Sequence, residues 1–171
     1  VNPAFLVSNS NALADKRLGR CEFPHMSVYD CAVWRCFLAT GFAEFDSIEY
    51  DVTVGGKSAR HVRREGDLVE MWERLLRKRI DVVGFRAVDT WITEVKPLAS
   101  MSALGQVLSY ERLYLAEHPD TKNPRKVVVC ARVDEDVEES FNYFGVSLVV
   151  VNSDSPDAAP SVLQVLGPLG T

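Results

Sequence analysis

Two periods take turns along this chain, one of about 3.6 residues and one of two, and their alternation divides it into helices and strands. The stretch "SVYDCAVWRCFLATG" puts Cys31, Trp34 and Leu38 on one helical face. Ser27 and Asp30 stand at capping-box spacing before it, and Gly41 ends it. "SIEYDVTV" then reads as a strand, closed by Gly55 and Gly56. "GDLVEMWERLLRKR" repeats the helical pattern with Leu68, Trp72, Leu75 and Leu76 behind an Asp67–Glu70 box. Its opposite face carries Arg74, Arg77 and Lys78, and Glu70 and Glu73 stand four residues before two of them, the pattern of a solvated face.

"IDVVGF" (80 to 85) and "TWITEVK" (90 to 96) are two strands joined by a link short enough to predict an antiparallel hairpin, with Pro97 stopping the second. A helix over "SALGQVLSYERLYLAEH" must end at Pro119. The strand "KVVVCARV", a short helix "EDVEESFNYF" between Asp134 and Gly145, and the strand "VSLVVV" complete the series. Strands joined through helices imply parallel pairing, so the expected fold is α/β: a mixed central sheet flanked by helices, in the order α-β-α-β-β-α-β-α-β. Residues 1–24 are expected to be an N-terminal arm, 25–151 the domain, and 152–171 a tail docked loosely through Val162, Leu163 and Leu166.

Composition fits one soluble domain: 171 residues, 47% hydrophobic and 25% charged. The longest apolar stretches are too short to span a bilayer and "AFLV" is too short for a signal-peptide core, so the expectation is a cytoplasmic protein without membrane association. Cys21, Cys31, Cys36 and Cys130 form no CxxC pair, which predicts reduced thiols and no zinc, with Cys130 as a small buried strand residue. The net charge of −5 is unevenly spread. Residues 134–171 hold seven acidic residues and no Lys or Arg, which leaves the first 133 at +2 and able to carry a phosphate-binding face.

The chemistry concentrates in "WITEVKP". Alternation puts Ile92, Glu94 and Lys96 on one face of the strand. If the hairpin is symmetric about its link, Phe85 faces Thr90 and Asp81 faces Glu94. Two carboxylates would then meet on one patch of sheet with a single ammonium group. Such a pair repels unless a cation lies between its members, and oxygen donors suit Mg2+ or Mn2+. On the next helix Gln106 and Tyr110 stack four residues apart beside Gly105, a residue that costs about 1 kcal/mol in a helix, which is either a tolerable loss or a sign that the backbone must approach something closely. "PDTK" also offers an acid and a lysine two apart, Asp120 and Lys122, but on a loop that imposes no shared face.

An Asp on one strand, E-x-K on its hairpin partner and Q-x-x-x-Y on the following helix resemble the PD-(D/E)xK phosphodiesterase, or restriction-endonuclease-like, superfamily, with the last motif as in RecB-like exonucleases. The resemblance spans roughly residues 26 to 132. It implies a metal-dependent DNA nuclease in which Asp81, Glu94 and the Val95 carbonyl hold Mg2+ or Mn2+. Lys96 would orient or help deprotonate the attacking water, and Gln106 and Tyr110 would position the DNA or the lysine. DNA is the implied partner, and many members act as dimers or within larger assemblies. The proline of the motif is missing, since Ile80 precedes Asp81. The acid that the first helix often supplies has no clear match; Asp30 is nearest but already has a capping role. An alternative function is a catalytically inactive binding or assembly module on the same fold, for example a phage structural component. The bland reading of Glu94 and Lys96 is a surface ion pair, worth about 0–1 kcal/mol.

Overall fold

The computed structural model describes residues 21–56, 75–153 and 159–169. The elements, in chain order, are α1 (Val28–Ala39), β1 (Ser47–Val54), β2 (Lys78–Arg86), β3 (Asp89–Ala99), α2 (Met101–Glu117), β4 (Pro124–Val133), a 3-10 turn (Glu135–Val137), α3 (Glu138–Tyr143), β5 (Val146–Val151) and β6 (Val162–Leu166). They build an α/β fold around a mixed six-stranded open sheet, ordered β1-β2-β3-β4-β5-β6. β1, β2 and β3 are antiparallel neighbours, β3, β4 and β5 are parallel, and β6 returns antiparallel to β5. Of the helix expected over 66–79 only the end lies among the described residues: Leu75 and Leu76 are helical, but Lys78 and Arg79 already belong to β2 and correct the expected boundary. Among the described residues no helix is long and apolar enough to cross a membrane.

Strand alternation sends side chains to two apolar layers. On one side Trp34 and Phe37 of α1 pack with Val82, Trp91, Val95, Val127 and Val129. On the other, Ala103, Leu104 and Val107 of α2 and Phe141 of α3 cover Val128, Cys130 and Leu148, while Tyr110 and Tyr114 cover Val83 and Ile92. The α1 capping box forms in full: Ser27 N–H donates to Asp30 Oδ2 at 3.0 Å and Asp30 N–H to Ser27 Oγ at 3.2 Å. The buried face of α1 is Cys31, Val33, Trp34 and Phe37, with Leu38 only partly covered.

Three expectations need correction. Residues 162–166, expected in a loose tail, form the sheet-edge strand β6, because this short, mostly apolar segment pairs with the open edge of β5. Pro97 does not stop β3, which runs on to Ala99. Val95 directs its N–H toward β2, so Pro97, two residues on, lacks a donor on that same side, where the pairing has ended at Val82–Thr93. Cys21 and Cys31 are not free thiols; they form a disulfide with Cα atoms 5.7 Å apart, tying residues just before α1 to its first turn. Cys130 is buried, and burial pushes its thiol up to about 12.

Two glycines give opposite predictions. A Cβ on Gly84 would lie 2.5 Å from Phe45 Cε1, where that ring stands edge-on to Trp91. A Cβ on Gly105 meets nothing within 4 Å, so no close backbone approach explains that residue. Urea unfolding is expected to show Gly84→Ala losing about 1–3 kcal/mol through overpacking. Gly105→Ala should gain about 0.5–1 kcal/mol from helix propensity.

Candidate active site at the parting of two strands

The β2–β3 register follows the symmetry of the link. Phe85 faces Thr90, and the ladder continues through Val83–Ile92 to Val82–Thr93. The turn is two residues, Ala87 and Val88, with Ala87 at φ 51° and its N–H donated to Asp46 Oδ2 at 2.7 Å. Beyond Val82 the strands stop exchanging backbone hydrogen bonds. There Asp81 Oδ2 accepts the Val95 N–H at 2.9 Å, so a carboxylate replaces the next rung.

Glu94, Asp81 and Lys96 meet at this point. Lys96 Nζ lies 2.7 Å from Glu94 Oε1 and 3.7 Å from Asp81 Oδ2. Glu94 is 1% exposed, and its Oε2 makes no hydrogen bond of ordinary geometry among the described residues. The parallel neighbours of Glu94 and Lys96 on β4, Val128 and Cys130, offer only apolar surface. Desolvation is thus the main force on both acids. It pushes Glu94 up to about 7, with the Asp81 charge adding to the rise and Lys96 opposing it. Burial raises Asp81 too, against the pull of Lys96 and the Val95 N–H. Burial alone would lower Lys96, but Asp81 and Glu94 outweigh it and hold the amine protonated.

Tyr110, from α2, reaches the same patch. Burial and the neighbouring Glu94 charge raise its phenol. Gln106 Nε2 donates to Tyr110 Oη at 3.1 Å, and Ser102 Oγ to Gln106 Oε1 at 3.3 Å, so Gln106 stands one hydrogen bond behind Tyr110. Asp30 is the residue that sequence reasoning set aside. From the first turn of α1 its charge reaches Asp81, Glu94 and Lys96 alike. The capping box accounts for Asp30 locally, and no spacing in the sequence reveals that its charge is felt at the other three. Of the histidines, His118 stacks on Tyr114 (4.2 Å between centroids), His25 contacts Asp51, and His61 lies outside the described residues. Arg77, expected on a solvated face, is instead bound to Glu117 Oε2 at 2.9 Å and to the Thr53 carbonyl. A cavity of about 410 Å³ at the other end of the sheet, lined by Asp89, Arg125 and Lys126, belongs to different chemistry, because both cations there are paired with Asp89 and Glu111.

Among the described residues no three His, Cys, Asp or Glu side chains are grouped as a ready metal cage. The donors are two carboxylates and a backbone oxygen: the N–H and C=O of a strand residue lie on one edge, so the Val95 carbonyl also faces the gap left by β2. A buried carboxylate oxygen without a partner beside a second acid is a donor set that fits a hard divalent cation.

The sign of the pH dependence follows from Glu94. Its folded pKa lies above the ordinary carboxylate value, so between about pH 4.5 and 7 the native state binds more protons than the unfolded chain. Stability of the metal-free protein is therefore expected to fall as pH rises through that window, and the Glu94→Gln variant to lose that slope in urea unfolding measured at pH 5 and pH 8. The chain matches no family model, no curated protein and no solved structure.

Proposed function

We propose that the protein is a metal-dependent DNA nuclease of the PD-(D/E)xK type, built on a restriction-endonuclease-like core. The observation that carries this reading is the meeting of Asp81, Glu94 and Lys96 where β2 and β3 separate. A fold stabilised only by burial has no use for a fully buried acid beside a second acid and an amine.

Asp81, Glu94 and the Val95 carbonyl would hold Mg2+ or Mn2+, with Asp30 as a further anion close by. The bound cation supplies an acidified water and offsets charge developing on the scissile phosphate. Glu94 must give up its proton to serve as a donor, and both acids then stay ionised. Lys96, 2.7 Å from Glu94 and partly open to solvent, holds a proton at Nζ that can orient the attacking water or meet the phosphate oxygen. Tyr110, fixed by Gln106, presents a neutral hydroxyl beside Glu94. The assay is nicking of supercoiled plasmid in Mg2+ or Mn2+ against EDTA: metal-dependent cleavage is expected, and none at any enzyme excess would end the enzymatic reading.

The second reading, an inactive module within an assembly, draws on one feature. Tyr143 and Phe144 at the end of α3 are 84% and 49% exposed and pack edge to face, an apolar pair open to a partner. A protein that cuts nothing, and whose Asp81→Ala form assembles as the parent does, would favour the module.

A further inference from the structure

Two residues with left-handed backbone meet next to the acid pair. His25 (φ 58°) and Asp51 (φ 54°) are two of the four non-glycine described residues with positive φ, and His25 Nε2 lies 3.2 Å from Asp51 Oδ2. The same oxygen accepts a hydrogen bond from Arg79 Nη1. Such conformations are costly for most residues, less so for Asp and His, and persist where the surroundings impose them. Here the strain sits at one contact.

The location ties this contact to the candidate active site. The pairs Tyr50–Val82 and Val52–Ile80 bracket Asp51 and place it across from Asp81. Arg79 precedes Asp81 by two residues on β2, a separation of about 7 Å along the strand. His25 stands five residues before Asp30. Burial is graded in one direction: the Asp51 side chain is 18% exposed, against 59% for His25 and 50% for Arg79. One sunken carboxylate therefore holds two nitrogen donors whose heads face solvent. An arginine carries five N–H donors in a planar fork that matches phosphate, and Asp51 takes one of them. Lys78, also exposed, adds charge at the same strand end.

We propose that His25 and Arg79, positioned by Asp51, clamp a DNA phosphate next to the one attacked at Asp81, Glu94 and Lys96. Asp51 is the positioning residue and the two donors make the contact. The choice of DNA as ligand rests on the nuclease reading above.

The test is equilibrium binding of a labelled DNA duplex across a salt series, with calcium replacing magnesium. Arg79→Gln keeps a polar head for Asp51 and removes the charge. It is expected to raise Kd about tenfold and to flatten the dependence of log affinity on log salt by about one unit. Arg125→Gln, at the opposite end of the sheet, should change neither. His25→Ala lies outside the sheet and should weaken binding about threefold, the loss of one hydrogen bond; it decides the matter if Arg79→Gln fails to fold. Parental Kd and salt slope in Arg79→Gln, a parental Kd in His25→Ala, or no duplex binding by the parent would overturn the clamp. The two readings fail separately. Cleavage that needs Asp81 but ignores Arg79 removes the clamp and keeps the nuclease, whereas binding that depends on Arg79 with no cleavage keeps the clamp and removes the nuclease.

Discussion

Asp81→Asn is expected to cut magnesium-dependent plasmid nicking by about a thousandfold, the rate equivalent of losing roughly 4 kcal/mol of charge stabilisation in the transition state. The substitution is chosen for what it keeps. Asp81 Oδ2 accepts the Val95 N–H at 2.9 Å, and an asparagine oxygen can accept the same bond, so unfolding free energy should stay within about 1 kcal/mol of the parent. Asp81→Ala should lose the same activity and a further 1–3 kcal/mol or so of stability, because a part-buried N–H is left without its acceptor. Plasmid nicking and urea unfolding of the three proteins separate the two effects. An Asp81→Asn variant that cleaves within tenfold of the parent would take Asp81 out of the chemistry.

The largest structural effect should come from Trp34. Its side chain is fully buried, stacks on Phe37 with centroids 5.0 Å apart, and donates its indole N–H to Tyr50 Oη at 3.3 Å. It fills the layer between α1 and the central strands, so it also fixes the helix that carries Asp30. Trp34→Ala removes the packed volume and orphans the tyrosine hydroxyl, at a cost of about 3–5 kcal/mol. For a domain of this size that corresponds to a drop in Tm of roughly 6–20 °C. Thermal unfolding followed by circular dichroism measures it, and a shift under about 2 °C would mean that the layer re-forms around the gap.

Much of the architecture was legible because it is written in short-range pattern. The β2–β3 register came from the length of one link, since a two-residue side-chain period leaves few ways to close a hairpin of apolar alternation. That register alone brought Asp81, Glu94 and Lys96 to one face. What escaped was long-range or ambiguous. Pro97 looked like a stop because its missing donor is harmful only if it points at a paired neighbour, and that depends on where β2 ends. Residues 162–166 looked like a tail because five mostly apolar residues without a clean period carry little information until an open edge is known. The Cys21–Cys31 bond could not be read from spacing, since a sequence separation of 10 fixes no geometry. Asp30 was visible as a cap, and its nearness to Glu94 is a property of how α1 lies on the sheet.

β6 has a consequence for how the chain tolerates shortening. The strand inside it, "VSLVVV", is buried at every position and carries no charge, proline or glycine to discourage a new neighbour. With residues 159–169 in place, its outer row of amides is occupied from Leu148 to Val151. A chain cut after Asn152 would offer that row to any extended segment it met, including the same strand of another copy, and would precipitate by self-templated growth while Asp81, Glu94 and Lys96 still met as they do here.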